Sequence, residues 1–376
     1  VMDLPLSNTS VKCGRQTTAR RLAMVCLLAI ILGGGWLRAA QLNEPLWVDE
    51  LHTSWVVADG IQDIHSRAEA GNQSPLYFYV VWGCVQLFGH AEWSLRLPSL
   101  VAGVALVFFA FESGRRWSGS LATGLLVAFL VAVNHECILF ANEARPYAWI
   151  QLFALMHGWV FLHVLERPSV AWRTLLILGG VWLFYLHYTA SLFLLAEAGC
   201  YVLLRFTCPD RVKYRTHQGL LDCAVTCVLV LPAWPHLAQI AERRDNWNSF
   251  VRLTFSPGLR NAFYLYVVGP LSGLIVLRWL LRRWRSSTTT RLQWTWVACW
   301  LVVPPSIAFT ATLTNVAALW MLRYFVASLV AAMVLAGLVT SKYPTAFMRY
   351  LAALTLMVTA IHFSGIVPQW RYDGRI

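Results

Sequence analysis

The chain has 376 residues, 58% hydrophobic and 13% charged, with nineteen Trp and a net charge of +12; its mean hydropathy is +0.56. A soluble domain of this size would carry roughly a quarter charged residues, so that class is excluded. The basic residues sit in short clusters between apolar runs, which sets membrane orientation and argues against a nucleic-acid partner. The nine Cys form no C-x-x-C pair and lie mostly in apolar segments (Cys26, Cys84, Cys200, Cys223, Cys227, Cys299), so they read as small buried hydrophobes.

Repeated apolar runs of about 17 to 25 residues, flanked by Arg and Trp, predict an all-α polytopic membrane protein. Only helices meet the backbone's hydrogen-bonding needs in lipid. Residues 1–19 are polar, with Lys12 and Arg15, and read as a disordered cytoplasmic tail. Arg20-Arg21 then precede Leu22–Leu37, the first span. A signal peptide cleaved near Arg38-Ala39-Ala40-Gln41 is the rival, disfavoured by the length of the run and by Trp36 at its end.

The next stretch, Glu44 to Pro98, carries seven of the eighteen acids: Glu44, Asp49, Glu50, Asp59, Asp63, Glu69 and Glu92. Within it Pro75–Gly89 is apolar but short, and Tyr77, Tyr79, Trp82 and Gln86 suit an interface. Laying it flat on the outer surface makes residues 38–96 the first outer loop. The later spans are then about Leu97–Ser113, Leu121–Ala132, Pro146–Leu165, Leu175–Leu186, Thr189–Leu204, Leu220–Pro235, Ala262–Leu281, Leu292–Thr312, Tyr324–Val339 and Leu351–Val367. That scheme gives eleven spans, a transmembrane domain over 20–367, and an outer tail over 368–376. It puts nineteen of the thirty basic residues in short inward loops and twelve of the acids outside. Making Pro75–Gly89 a span would push the Arg278–Arg291 cluster outward, against the positive-inside rule. No internal repeat is evident, which counts against transporter folds built from duplicated halves.

Charges at the outer ends of spans are costly and therefore functional candidates. Asn142-Glu143-Ala144-Arg145-Pro146-Tyr147 precedes the fourth span, with Pro146 suited to a first helical turn. His187-Tyr188 lies between the fifth and sixth spans, and Arg323-Tyr324 opens the tenth. Arg243, Arg244 and Asp245 fall in a long outward loop and read as a solvated or headgroup-facing surface. A transporter or lipid flippase is the competing class, but it would place polar groups near mid-span in both halves. No metal site is indicated: Asp49-Glu50-Leu51-His52 has ligand types without a recognised spacing, and His52 reads as a surface residue. No G-x-x-x-x-G-K-[ST] loop or Gly-x-Ser-x-Gly elbow is present.

An Asp-Glu pair soon after the first span, Pro75-Leu76-Tyr77, Arg96-Leu97-Pro98-Ser99, and Glu143-Ala144-Arg145-Pro146-Tyr147 before the fourth span together resemble the GT-C membrane glycosyltransferases. The branch is that of the protein O-mannosyltransferases and lipid A aminoarabinose transferases. His187-Tyr188 and Arg323-Tyr324 are similar to pairs in bacterial members, and the resemblance covers roughly residues 20–340. It implies a sugar donor linked to polyprenyl phosphate, inversion at the anomeric carbon, and a lipid, glycan or protein acceptor. It also implies a site facing outward from the cytoplasmic (inner) membrane, shaped by interfacial helices over Asp49–Gly60 and Pro75–Gly89. The catalytic assignment is Asp49 as base with Glu50 as its neighbour or an acceptor orienter. Arg145 and Arg323 become phosphate clamps, Glu143 an acceptor- or clamp-positioning group, and Tyr147, His187, Tyr188 and Tyr324 substrate-binding residues. No cofactor is required by these residues, and a divalent cation is left open. The sequence departs from the family in Ser74-Pro75-Leu76, where Pro-Pro-Leu is usual. It also stops after Trp370-Arg371-Tyr372-Asp373, where many members continue, which leaves truncation open.

Overall fold

A computed structural model describes residues 8–243, 260, 263–273 and 289–364. All regular structure among them is helical. The helices, in chain order, are α1 Asn8–Ala39, α2 Val48–Val56, α3 Ile64–Ala70, α4 Leu76–Phe88, α5 Glu92–Ser118, α6 Leu121–Val133, α7 His135–Ala141 and α8 Tyr147–Glu166. They continue as α9 Val170–Leu186, α10 Ser191–Thr207, α11 Thr216–Val230, α12 Trp234–Glu242, α13 Thr289–Leu313, α14 Ala327–Thr340 and α15 Ala346–Phe363. The polytopic all-α class is therefore as expected. Helix α1 begins at Asn8, so residues 8–19 extend it rather than forming a disordered tail.

Among the described residues, seven helical segments are long and apolar enough to cross a membrane, and the bent pair α6–α7 is an eighth candidate. Helices α9 and α14 coincide with two further expected spans but are shorter, and most of Ala262–Leu281 lies outside the described residues. Helix α4 has 13 residues, about 20 Å of helix against a hydrocarbon core of about 30 Å. It is too short to cross.

Helix α14 is the hub. All fourteen of its residues are buried, as expected of a helix apolar on every side. Around the periphery the apolar side chains point outward instead. Leu22, Leu28, Leu32 and Trp36 of α1, Leu220 and Val228 of α11, and Phe347, Leu351 and Val358 of α15 are exposed, which suits a face solvated by lipid. Small residues allow close packing in the α5–α6 hairpin. A Cβ on Gly114 would meet Val127 at 2.9 Å, and one on Gly124 would meet the Phe111 carbonyl at 2.7 Å.

The break between α6 and α7 positions the site. The two helices differ in direction by 62°. Asn134 caps α7, its side-chain oxygen accepting from the Cys137 N–H at 3.0 Å. The buried Arg38 guanidinium takes up carbonyls at the end of α6, donating to Val131 at 3.0 Å and Ala132 at 2.9 Å. With no water in hydrocarbon to satisfy those groups, this contact makes the bend sustainable. The chain then returns through Asn142–Pro146 to α8.

Candidate active site

Asp49 and Glu50 lie in the first turn of α2, where the helix dipole favours carboxylates. Successive residues on a helix face different ways, and here they have different partners. Glu50 is fully buried. Arg96 of α5 grips it with two bonds, Nε to Oε1 at 2.7 Å and Nη2 to Oε2 at 2.6 Å. The Ala144 N–H also donates to Oε1 at 2.9 Å, and the Trp47 N–H to Oε2 at 3.3 Å. Arg96 further donates to the Leu42 and Glu44 carbonyls at 2.8 and 2.7 Å. Thr53 adds a bond to the Ala144 carbonyl at 2.9 Å. Glu50 and Arg96 thus lock α2, α5 and the 142–146 turn together.

Asp49 faces the other way. Arg323 Nη1 donates to its Oδ2 at 2.9 Å, and Arg145 Nη2 stands 3.9 Å from the same oxygen. Arg145 Nη1 donates to the side-chain oxygen of Gln73 at 2.9 Å. The backbone carbonyl of Arg145 accepts from Ser99 Oγ at 2.8 Å, and that hydroxyl is paired with the Tyr77 hydroxyl at 2.7 Å. The Nε groups of both Arg145 and Arg323 are buried without a hydrogen-bond partner. Two cations with spare donors around one carboxylate form an unsaturated, electropositive site.

Glu143 adjoins this cluster. Its Oε2 is buried without a partner. Burial, followed by the nearby Glu50 charge, pushes its carboxyl up to about 8, so near pH 7 it is mostly a neutral acid. The rings of Tyr147, His187 and Tyr324 form a row, with centroids 5.9 Å apart at each step. Arg323 lies over the Tyr324 ring at 5.5 Å. The Thr189 N–H donates to His187 Nδ1 at 3.3 Å, which leaves the ring proton on Nε2. Burial and then Arg145 push the His187 imidazole down to about 3, so it is neutral and contributes no charge.

Of the expected site residues, Asp49, Glu143, Arg145, Tyr147, His187, Arg323 and Tyr324 are brought together. Tyr188 is not. Its hydroxyl pairs with His236 Nδ1 of α12 at 2.9 Å, and its ring packs on Phe184 at 5.1 Å. His52 is not a surface group either. Its ring packs against Trp55 at 5.6 Å and Phe78 at 6.1 Å. Arg243 donates to the Asn72 side-chain oxygen at 3.1 Å, while Arg244 and Asp245 lie outside the described residues. Among the described residues, no three His, Cys, Asp or Glu side chains converge to hold a metal ion.

Residues 72–236, under half of the chain, match the family model described as dolichyl-phosphate-mannose-protein mannosyltransferase. The helical arrangement is similar to that of ArnT from Cupriavidus metallidurans bound to undecaprenyl phosphate. The TM-score is 0.54 at 14% identity, covering 85% of this chain and 60% of that one. The apo form of the same ArnT gives 0.56 at 15% identity, covering 86% and 60%.

The fold is ArnT-like.

The sequence resemblance to the GT-C glycosyltransferases is matched by the mannosyltransferase model over residues 72–236 and by the ArnT-like fold. The chain spans about 60% of the length of those ArnT structures. No curated protein sequence matches it. The mannosyltransferase match contains Gln73, Glu143, Arg145 and His187, whereas Asp49 and Arg323 lie on either side of it. Helix α2 and the Leu322–Tyr324 turn, outside the matched segment, complete the cluster.

Two residues of the site neighbourhood were given no role by the sequence. Gln73 is a neutral amide in a loop, and only its bond to Arg145 shows that it matters. Arg96 was visible within Arg96-Leu97-Pro98, but its partner was not.

Proposed function

We propose that the chain is an inverting glycosyltransferase, moving a sugar from a polyprenyl-phosphate donor to a lipid, glycan or protein hydroxyl at the outer face of the cytoplasmic membrane. The observation that carries this reading is Asp49, partly exposed, between two arginines whose Nε donors have no partner. A polyprenyl phosphate leaves as a stable anion, so departure of the sugar needs cationic hydrogen-bond donors rather than a general acid. One carboxylate then suffices to take the acceptor proton. The acceptor oxygen bonds to the anomeric carbon as the bond to the phosphate oxygen breaks. The proton passes to Asp49, and the bonding pair leaves with the phosphate, held by Arg145 and Arg323.

In this reading Glu50 is a positioning residue, because its oxygens are already committed to Arg96 and to two backbone N–H groups. Glu143, largely neutral near pH 7, is unsuited to be the base and adds no competing charge. Tyr147, His187 and Tyr324 offer an uncharged wall for a sugar ring. The undecaprenyl phosphate bound by the structurally similar ArnT supports the donor class.

The decisive experiment is sugar transfer from a polyprenyl-phosphate donor by purified protein in nanodiscs, with the parent and Asp49→Asn compared. Transfer by the parent and its loss in the variant are expected. Absence of transfer from mannosyl- and aminoarabinosyl-linked donors alike, by well-folded parent protein, would count against the reading.

A further inference from the structure

Asp49 Oδ2 is the atom to which Arg323 donates, and Arg145 stands near the same oxygen. The cations that hold it are also those a donor phosphate would need. Both guanidinium groups are anchored elsewhere, Arg145 by Gln73 at 2.9 Å and Arg323 by its place over Tyr324 at 5.5 Å. They therefore have only a short distance over which to exchange partners.

We propose that Asp49, held between Arg323 and Arg145, is an internal stand-in for the donor phosphate at these two cations. On this view the donor's phosphate group displaces it from Arg323, and that displacement frees the carboxylate for the acceptor. The inference rests on the glycosyltransferase reading and adds an order to it: donor first, acceptor second. The Asp49–Arg323 pair is partly solvated, with side-chain exposures of 27% and 28%. Such a partly exposed pair is weak, and the donor's phosphodiester, with two unesterified oxygens, can replace the carboxylate on the guanidinium groups.

The consequence runs against the usual rule that removing a catalytic residue leaves binding unchanged or weaker. Abolishing the stand-in should tighten phosphate binding. The test uses farnesyl phosphate, a short soluble polyprenyl phosphate, titrated by calorimetry into the purified full chain. Asp49→Asn and Asp49→Ala should each bind up to about fivefold more tightly than the parent, and Arg323→Gln more weakly.

Simple charge repulsion between Asp49 and the phosphate would also tighten binding, so the double variant Asp49→Asn/Arg323→Gln decides between the two. With exchange at Arg323, most of the gain vanishes in that background. With repulsion alone the gain persists in full, and the exchange is overturned. Unchanged or weaker binding by both Asp49 variants, with Arg323→Gln impaired, would overturn the exchange and leave the phosphate site standing. No binding of farnesyl phosphate by folded parent protein would overturn both.

Discussion

Asp49 and Glu50 are adjacent in sequence and each pairs with arginine, yet the two ion pairs belong to different regimes. Glu50–Arg96 is desolvated, with 1% and 2% of the side chains exposed, and its carboxylate accepts from Arg96 and from the backbone at both oxygens. Asp49–Arg323 is partly open, shares one oxygen with a second cation, and leaves guanidinium donors over. The saturated pair can only hold; the unsaturated pair can exchange partners. Satisfaction of hydrogen bonds separates scaffold from site here better than charge or position does.

The largest expected effect tests the scaffold side. Arg96→Ala leaves a buried carboxylate without its cation, a change that typically costs about 3–5 kcal/mol. Thermal unfolding in detergent should show a large loss of stability, or the variant should fail to accumulate. A mildly affected Arg96→Ala protein would mean that Glu50 is not the fastening of the 142–146 turn.

Next comes the site side. Asp49→Asn should lower turnover by roughly 10²-fold or more, the scale for loss of a general base, while its melting temperature stays near that of the parent. Equal damage to folding and transfer would erase the distinction between the two carboxylates. Arg145→Lys and Arg323→Lys should each cost about tenfold in transfer, near 1.4 kcal/mol in the barrier, because an ammonium keeps the charge but loses the planar fork. Donor saturation curves for both variants check this, and unchanged curves would leave the arginines as interfacial anchors.

The sequence made the spans legible wherever an apolar run was long enough to declare itself; it ended the third at Ala132 but did not foresee the short helix α7, turned by 62°, that follows. Asp49, Arg145 and Arg323 were legible as charges at membrane boundaries, although Asp49 and Arg323 are 274 residues apart. Glu50 was read as Asp49's partner in chemistry because adjacent acids look alike until their neighbours are known, and Arg96 is 46 residues away. Tyr188 was grouped with His187, but the bend between α9 and α10 sends the two side chains to different elements. Inside the bundle, His157 Nδ1 and Glu197 Oε1 lie 2.7 Å apart, linking α8 to α10. Each residue is isolated within an apolar run, so nothing local announced the pair.

The smallest expected effect concerns the third carboxyl of the neighbourhood, Glu143, and sharpens the comparison by adding a case between the two. It is buried like Glu50 but unsaturated like Asp49, with Oε2 lacking a partner. Its carboxyl is raised from 4.5 to about 8 in the folded protein, first by burial and then by Glu50. Between those two values the native state holds a proton that the unfolded chain has released. Its contribution to stability is therefore complete below about pH 4.5 and declines as pH rises toward 8. Above that range the ionised group also places a negative charge beside Arg145 and Arg323, so farnesyl phosphate affinity should fall as pH passes through about 8. Glu143→Gln keeps the shape without the titration, and it should flatten both profiles over this interval while changing transfer at pH 7 less than either arginine variant. Parallel unfolding and binding titrations of the parent and Glu143→Gln measure this. Superimposable pH profiles for the two proteins would show that Glu143 does not titrate there, and a steeper loss of affinity in the variant would reverse its assignment.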